Sequence, residues 1–370
     1  MKWREHRFKF TGRRIAVGIS ALVAFAALAA VGSALAAGPS KEAFDITKLC
    51  GTAKIKVGLA DGFGGNSWRK ITRAELEDEA SKCKNITQVI YTDGQANPQK
   101  SISDIRSQVA QGVKVLVIFP DANKALLPVV KEATAQGVSV VMNIGDVGGV
   151  QGKDYVGVVG EDVKAEGRTL GTWMAKALSG KGNIVMLGGT AGNTYSQYVY
   201  DGMAEIMAKN PGMKILEKGP VATNWDVGLT QKVVAGLLAK YPQIDGIVSD
   251  YGGGSVGGIR AFVAAKRPLV PWAANDDNQF SCSYAQYKPT NPKFQLATVS
   301  SRNWTSRTSL RVGLANYNKM TDPEPHTVTL QLFEDSIAGG ALAPKCVKSL
   351  PPDAIISSHL TIAQLKKLFK

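Results

Sequence analysis

Histidine is nearly missing from this chain, three in 370 residues, and only His326 and His359 lie beyond residue 36. Cysteine is scarce too, with four, and neither C-x-x-C nor H-x-x-x-H spacing occurs. A zinc or other transition-metal centre therefore has no donor set. Basic residues are in excess by 14, yet no run of five or six of them exists and none interleaves with aromatics. That excludes a surface tracking a nucleic-acid backbone. Glycine is plentiful at 39, but neither it nor proline is periodic, which removes collagen-like and low-complexity classes. Beyond residue 31 no stretch approaches the ~18–20 apolar residues that cross a bilayer.

What is present is a chain long enough for two domains, 44% hydrophobic, with a distinctive start. Six basic residues (Lys2, Arg4, Arg7, Lys9, Arg13, Arg14) precede an uncharged, Ala-rich stretch from Ile15 to Val31, and Ala34-Leu35-Ala36 follows. This is the pattern of a cleaved export signal over 1–36, read by general secretion or, through Arg13-Arg14, by a twin-arginine route. In an exported chain four cysteines suggest two disulfides. Of the three pairings, Cys50–Cys83 and Cys282–Cys346 are favoured; the first would tie the start of the first strand to the end of the first helix.

From Lys54 onward β-branched runs alternate with stretches of helical period. Strands are expected at 54–60, 88–91, 113–119, 138–142 and 155–159, with helices at 68–83, 98–111 and 122–136 between them. After the Gly-rich 145–152 the alternation resumes, with strands at 183–187, 213–218, 246–249 and 269–272 and helices at 163–178, 195–209, 227–240 and 255–265. Such a rhythm predicts α/β architecture, two lobes each built on a doubly wound parallel sheet. An internal echo supports two lobes, since Gly64-Gly65-Asn66-Ser67-Trp68 and Ala191-Gly192-Asn193-Thr194-Tyr195 both link a strand to a helix.

Two motifs invite catalysis. Gly252–Gly257 fits G-x-G-x-x-G, a dinucleotide fingerprint, but an isolated match late in an exported chain reads better as a glycine turn, so no cofactor is expected. Gly253-Gly254-Ser255-Val256-Gly257 also fits the G-x-S-x-G nucleophile elbow, and Asp276 and then His326 or His359 follow in α/β-hydrolase order. No oxyanion loop of H-G-G-G type precedes it. The expectation is therefore a protein that is no enzyme, with an exported hydrolase using Ser255 as the rival.

A third set is distributed: Asn66, Trp68, Arg69, Asn143, Asp146, Asn193, Gln197, Trp225, Asp226, Asp250, Tyr251, Asn275, Asp276, Arg302 and Asn303 all fall at or just past predicted strand ends. In open α/β sheets ligands bind there. Planar amides, carboxylates and guanidinium groups suit sugar hydroxyls, and indoles such as Trp68 and Trp225 suit the C–H faces. Singly, each Asn or Asp is equally a helix cap or turn former.

Lys54-Ile-Lys-Val-Gly-Leu59 with Asn66-Ser-Trp68, Gln108–Ile118, Gly137–Met142, Tyr241–Val248 and Leu296–Val299 together resemble the periplasmic sugar-binding proteins of ribose-binding type, type I periplasmic binding proteins. The resemblance runs from about Lys54 to about Leu332. It implies two lobes joined by a three-segment hinge, with crossings near 160–162, 300–302 and 328–330. The lobes would comprise 37–159 plus 302–328 and 160–301 plus 329–370, the latter with a terminal helix. It further implies a monomer in the periplasm that closes on a small sugar and docks on an inner-membrane ABC permease, or presents its ligand to a chemoreceptor. By position, Asn66 and Trp68 match the family's asparagine and stacking aromatic, Trp225-Asp226 its aromatic-acid pair, and Asn275 a hydroxyl-gripping aspartate. Departures at Arg69, Asn143 to Asp146, Gln197 and Asp250-Tyr251 leave open a polyol, a modified sugar or, if Arg69 and Arg302 face the cleft, a sugar acid.

Overall fold

The structure is a computed structural model that describes residues 44–322 and 324–370; the expected export signal lies outside them. Near-continuous apolar runs form strands buried on both faces, as a parallel sheet covered by helices requires. In the first lobe β1 (Ile55–Asp61), α1 (Ser67–Ser81), β2 (Ile86–Asp93), α2 (Pro98–Ala110), β3 (Val113–Phe119), α3 (Leu127–Ala135), β4 (Ser139–Asn143) and β5 (Gly157–Glu161) follow in turn. In the second come α4 (Val163–Ala177), β6 (Lys181–Gly188), α5 (Thr194–Ala208), β7 (Gly212–Ile215), β8 (Val221–Ala222), α6 (Val227–Lys240), β9 (Gly246–Ser249), α7 (Gly252–Ala264), β10 (Trp272–Asn275), α8 (Asn278–Tyr287) and β11 (Leu296–Val299). The chain then returns to the first lobe for α9 (Thr305–Tyr317) and β12 (Thr327–Val328), and goes back for β13 (Leu332–Asp335); α10 (Ile362–Leu368) is last.

One sheet has the order β12-β5-β4-β3-β1-β2 and the other β13-β11-β10-β9-β6-β7, with β8 beside β6. All pairs are parallel except β11 with β13. Each sheet is covered twice. In the first lobe Ile105, Val129 and Val130 of α2 and α3 pack on one face, and Leu76, Leu310 and Leu314 of α1 and α9 on the other. In the second, Val234, Ile259 and Phe262 cover one face, and Leu170, Trp173 and Met203 the other. Each such side chain contributes about 1.5–3 kcal/mol by leaving water.

Because the strands run parallel in register, their carboxyl ends line up: Asp61 lies beside Asp93 and Phe119, and Asn275 beside Val299. The hinge strands also run together, with the Gly160 amide donating to His326 O and the Asp162 amide to Val328 O. Cys50 bonds Cys83 and Cys282 bonds Cys346, at Cα separations of 5.4 and 4.5 Å.

Three expectations are revised. The strand expected at 269–272 begins only at Trp272, because Pro268 and Pro271 cannot donate to a ladder. α7 begins at Gly252, three residues early, because tertiary packing overrides the low helix propensity of glycine. A Cβ on Gly252 would lie 2.2 Å from Asn275 O and one on Gly257 2.0 Å from Val227 O. Finally, residues 329–370 do not all belong to the second lobe: Leu350, Ala354, Ile355, Leu360 and Leu365 pack around Ile71 of α1.

Candidate functional site

Helix capping places the rim of the first lobe. Asn66 caps α1 by accepting from the Arg69 amide at 2.9 Å, which sets Trp68 and Arg69 over the strand ends. The Arg69 guanidinium bridges Asp61 (2.9 Å) and Asp121 (2.8 Å) and lies 4.4 Å from the centre of the Phe119 ring. Burial raises the Asp61 carboxyl, and Arg69 opposes that rise. Trp68 is half-buried, edge-on to Phe119 at 5.6 Å, and its indole N–H donates to Ser301 O at 2.8 Å. It joins α1 to the hinge.

At the base of the cleft two hinge segments meet. Arg302, at φ 54°, places Nε 2.6 Å from Glu161 Oε1 and its guanidinium 4.6 Å from the Tyr195 ring centre. Glu166, one turn into α4, is fully buried; its carboxylate accepts from the Tyr195 hydroxyl at 3.0 Å and from Asn275 Nδ2 at 3.1 Å. Burial pushes the Glu166 carboxyl up to about 7, against the pull of Arg302. Asn143, the last residue of β4, is wholly buried, and neither of its amide atoms has a hydrogen-bond partner. Asn275 Oδ1 also lacks one, while the Glu161 carboxylate is held by the Arg302 ion pair. Buried polar atoms are rarely left so, and several at one place mark a site that another molecule completes.

The second lobe adds Asp250, just past β9, which accepts from Trp225 Nε1 at 3.0 Å and Ser196 Oγ at 2.5 Å. Burial pushes its carboxyl up to about 6, with those two donors holding it down. Trp225 adopts φ 53° and lies on Gly189, where a Cβ would come within 2.2 Å of the indole. Glycine at 189 is what lets the ring lie there. Tyr251 is half-buried beside Gly253 and Gly254, its hydroxyl pushed up to about 12 by burial with Asp277, Asp353 and Asp226 adding to the rise.

Other expected residues are engaged elsewhere. Gln197 is exposed and donates to Asp201 one turn along α5 at 2.8 Å. Asp146 is exposed and closes its own loop on the Gly148 amide (2.8 Å) and the Tyr155 hydroxyl (3.1 Å). Asp226 and Asn193 cap α6 and α5. Asp276 is buried in bonds from Ser301 and Ser357, and Asn303 donates to Trp68 O and Thr72. The rival triad is not assembled: the Ser255 hydroxyl is buried and donates to Tyr251 O at 3.0 Å, Asp276 is committed as described, His326 lies 2.6 Å from Asp322, and the His359 ring stacks on Trp304 at 5.3 Å. The glycines around it are explained by close packing.

Glu161, Glu166, Tyr195 and Ser196 were missed by sequence reasoning. A signal existed for two of them: Tyr195 occupies the place of Trp68 in the internal echo, and Glu166 is a charged residue on the face of α4 that carries Leu170 and Trp173 inward. Among the described residues no group of His, Cys, Asp or Glu is placed to hold a metal ion, and no helix is long and apolar enough to cross a membrane.

Comparison with known proteins places this geometry. The xylitol-binding protein of Mycolicibacterium smegmatis is 28% identical over 52% of this chain and 54% of its own length. The galactofuranose-binding protein YtfQ of Escherichia coli is 32% identical over 44% and 51%. The chain thus spans about half the length of the curated relatives it matches. Among solved structures, the periplasmic binding protein component of the arabinose ABC transporter from Shewanella sp. ANA-3 superposes with TM-score 0.64 at 21% identity, covering 75% of this chain and 91% of that one. A galactofuranose binding protein gives 0.63 at 24% identity, covering 75% and 94%. At that identity the likeness establishes the fold, two parallel-sheet lobes. Residues 57–285, more than half of the chain, match the family described as periplasmic binding protein domain, and the chain belongs to that family.

Proposed function

We propose that this protein is an exported receptor that holds a sugar or sugar-like polyhydroxylated molecule between its lobes and delivers it to an inner-membrane ABC permease. The observation that carries this reading is the set of buried amide atoms without hydrogen bonds at the cleft base, on Asn143 and Asn275, beside the Glu161–Arg302 ion pair. Hydroxyls donate and accept at once, so one polyol satisfies amide oxygen, amide nitrogen and carboxylate together. Trp225, oriented by Asp250, supplies an indole for the C–H face. The names of the relatives, binders of xylitol and galactofuranose, support the same class of ligand.

Binding at one lobe bridges to the other and favours the closed form through its greater affinity for that form. With the ligand removed from water and the lobes together, the closed face is what a permease would read. The catalytic rival has no support of this kind, since the Ser255 hydroxyl is buried and donates to Tyr251 O.

The test is a melting-temperature screen of the exported chain against xylitol, ribose, arabinose, allose, galactose and the corresponding sugar acids, followed by calorimetric titration of any hit. Ligand at a hundredfold over its Kd stabilises the folded form by about 2.7 kcal/mol. Trp225→Ala should abolish the shift while the variant stays folded. A screen in which no member raises the melting temperature of the unaltered chain would overturn the reading.

A further inference from the structure

Beyond the hinge, one more segment joins the lobes. Cys346 is bonded to Cys282 on α8, and Asn278 of the same helix holds the next residues: its Oδ1 accepts from the Val347 amide at 2.9 Å, and its Nδ2 reaches Val347 O and Pro351 O at 3.1 Å. The Asn278 and Gln279 amides donate to Ala354 O and Pro352 O. This is a firm, partly covalent attachment to the second lobe. Yet the side chains of the same stretch face the first: Leu350, Ala354 and Ile355, with Leu360 and Leu365, enclose Ile71 of α1. Ser67 at the start of α1 bonds Asp353, the His359 amide donates to Glu75, and Gln364 donates to Asp78. Between the two attachments Ser357 bonds Asp276 and the hinge residues Ser300 and Ser301.

We propose that residues 346–370 form a strap that limits how far the lobes open. The two ends of the strap are unequal. Toward the second lobe it is fixed by a disulfide, the Asn278 side chain and two backbone bonds; toward the first it is held by an apolar patch and a few polar ties. Swinging α1 away from α8 must therefore expose Ile71 and its partners to water, at about 25 cal/mol for each Å² uncovered. Opening is resisted from the hinge side, and the ligand-free protein is confined to a narrow range of lobe angles. Such confinement lowers the conformational entropy that closure has to remove, which raises affinity with no strap residue touching the ligand.

The strap rests on contacts independent of the sugar-receptor reading, so it is tested without ligand. X-ray scattering of the ligand-free protein is compared with that of a chain ending at Val347, which keeps the disulfide, and of the milder Ile355→Ser. Removing the tail takes away mass and by itself lowers the radius of gyration; the strap demands an increase, together with a broader distance distribution. Ile355→Ser should shift the same way by a smaller amount, and it decides the matter if the shortened chain does not fold. Scattering unchanged in folded Ile355→Ser, or a radius that merely shrinks on truncation, would overturn the proposal, whatever the sugar screen returns.

Discussion

The rim of the first lobe and the floor at the hinge are built from the same residue types but in opposite states of satisfaction. On the rim Arg69 is shared by Asp61 and Asp121, and Asp93 accepts from the Gly64 and Gln95 amides. At the floor, beside the Glu161–Arg302 pair, Asn143 and Asn275 keep buried amide atoms without hydrogen bonds. Folding alone completes the first region, whereas the second carries a standing desolvation penalty of about 1–3 kcal/mol per orphaned group. The rim is thus a finished surface that shapes the opening. The floor is where a polyhydroxylated molecule recovers energy the fold left unclaimed.

The largest break in that contrast should come from the ion pairs of the two arginines. Arg302→Ala strands Glu161 in the interior, and losing one partner of a buried pair costs about 3–5 kcal/mol. Asp121→Ala removes only the exposed partner on the rim and leaves Arg69 paired with the buried Asp61, so its loss should stay near 1 kcal/mol. Urea denaturation of both variants measures the difference; equal losses would erase the distinction drawn here.

Next in size is a pH effect to which the floor contributes. The Glu166 carboxyl, raised to about 7 by burial, keeps its proton in the folded chain where the unfolded chain, near 4.5, has released it. The folded state binds more protons in that window, so stability falls as pH rises from about 4.5 to about 7 and the loss is complete above it. Glu166→Gln cannot titrate and should flatten this part of the profile in urea midpoints taken across the window. A slope unchanged by the substitution would place the proton uptake elsewhere, for instance on Asp277 or Glu334, which burial also raises, to about 8 and about 7.

How far the sequence foretold these states follows from what sets them. The alternation of strand and helix was legible because burial on both sheet faces writes itself as apolar runs, and Gly246–Ser249 and Val227–Lys240 fall where periodicity put them. The strand ends were legible as a locus, since Asn and Asp gather there. Which of those residues turn inward was not, because a cap and an orphan look alike in one dimension: Asp226 and Asp250 both follow a predicted strand and precede a helix, yet one is an exposed cap and the other a buried acceptor. The hinge acids escaped for a related reason. Glu161 gains its meaning from Arg302, 141 positions later in sequence, and no local pattern links them. The tail is legible in sequence only as a terminal helix of the second lobe, because nothing local shows that a segment bonded to α8 through Cys346 packs its apolar side chains on α1.

The finest test uses two asparagines that the sequence presents as equivalents. Asn66 caps α1 through the Arg69 amide, so Asn66→Ala should cost about 1 kcal/mol in the ligand-free protein. Asn143 has a similar setting at a strand end, but neither of its amide atoms is bonded. Replacing it with leucine, close in size and without polar atoms, removes a penalty and no interaction, and the ligand-free chain should melt higher by the equivalent of about 1–2 kcal/mol. The same substitution should abolish any melting shift that a sugar produces, since the atoms it deletes are those the ligand was to satisfy. Stability gained and binding lost at one residue, against a small stability loss with binding kept at the other, would separate structure from function at this edge of the fold. If Asn143→Leu instead destabilised the ligand-free protein, its amide would have partners after all, and the floor would be as complete as the rim.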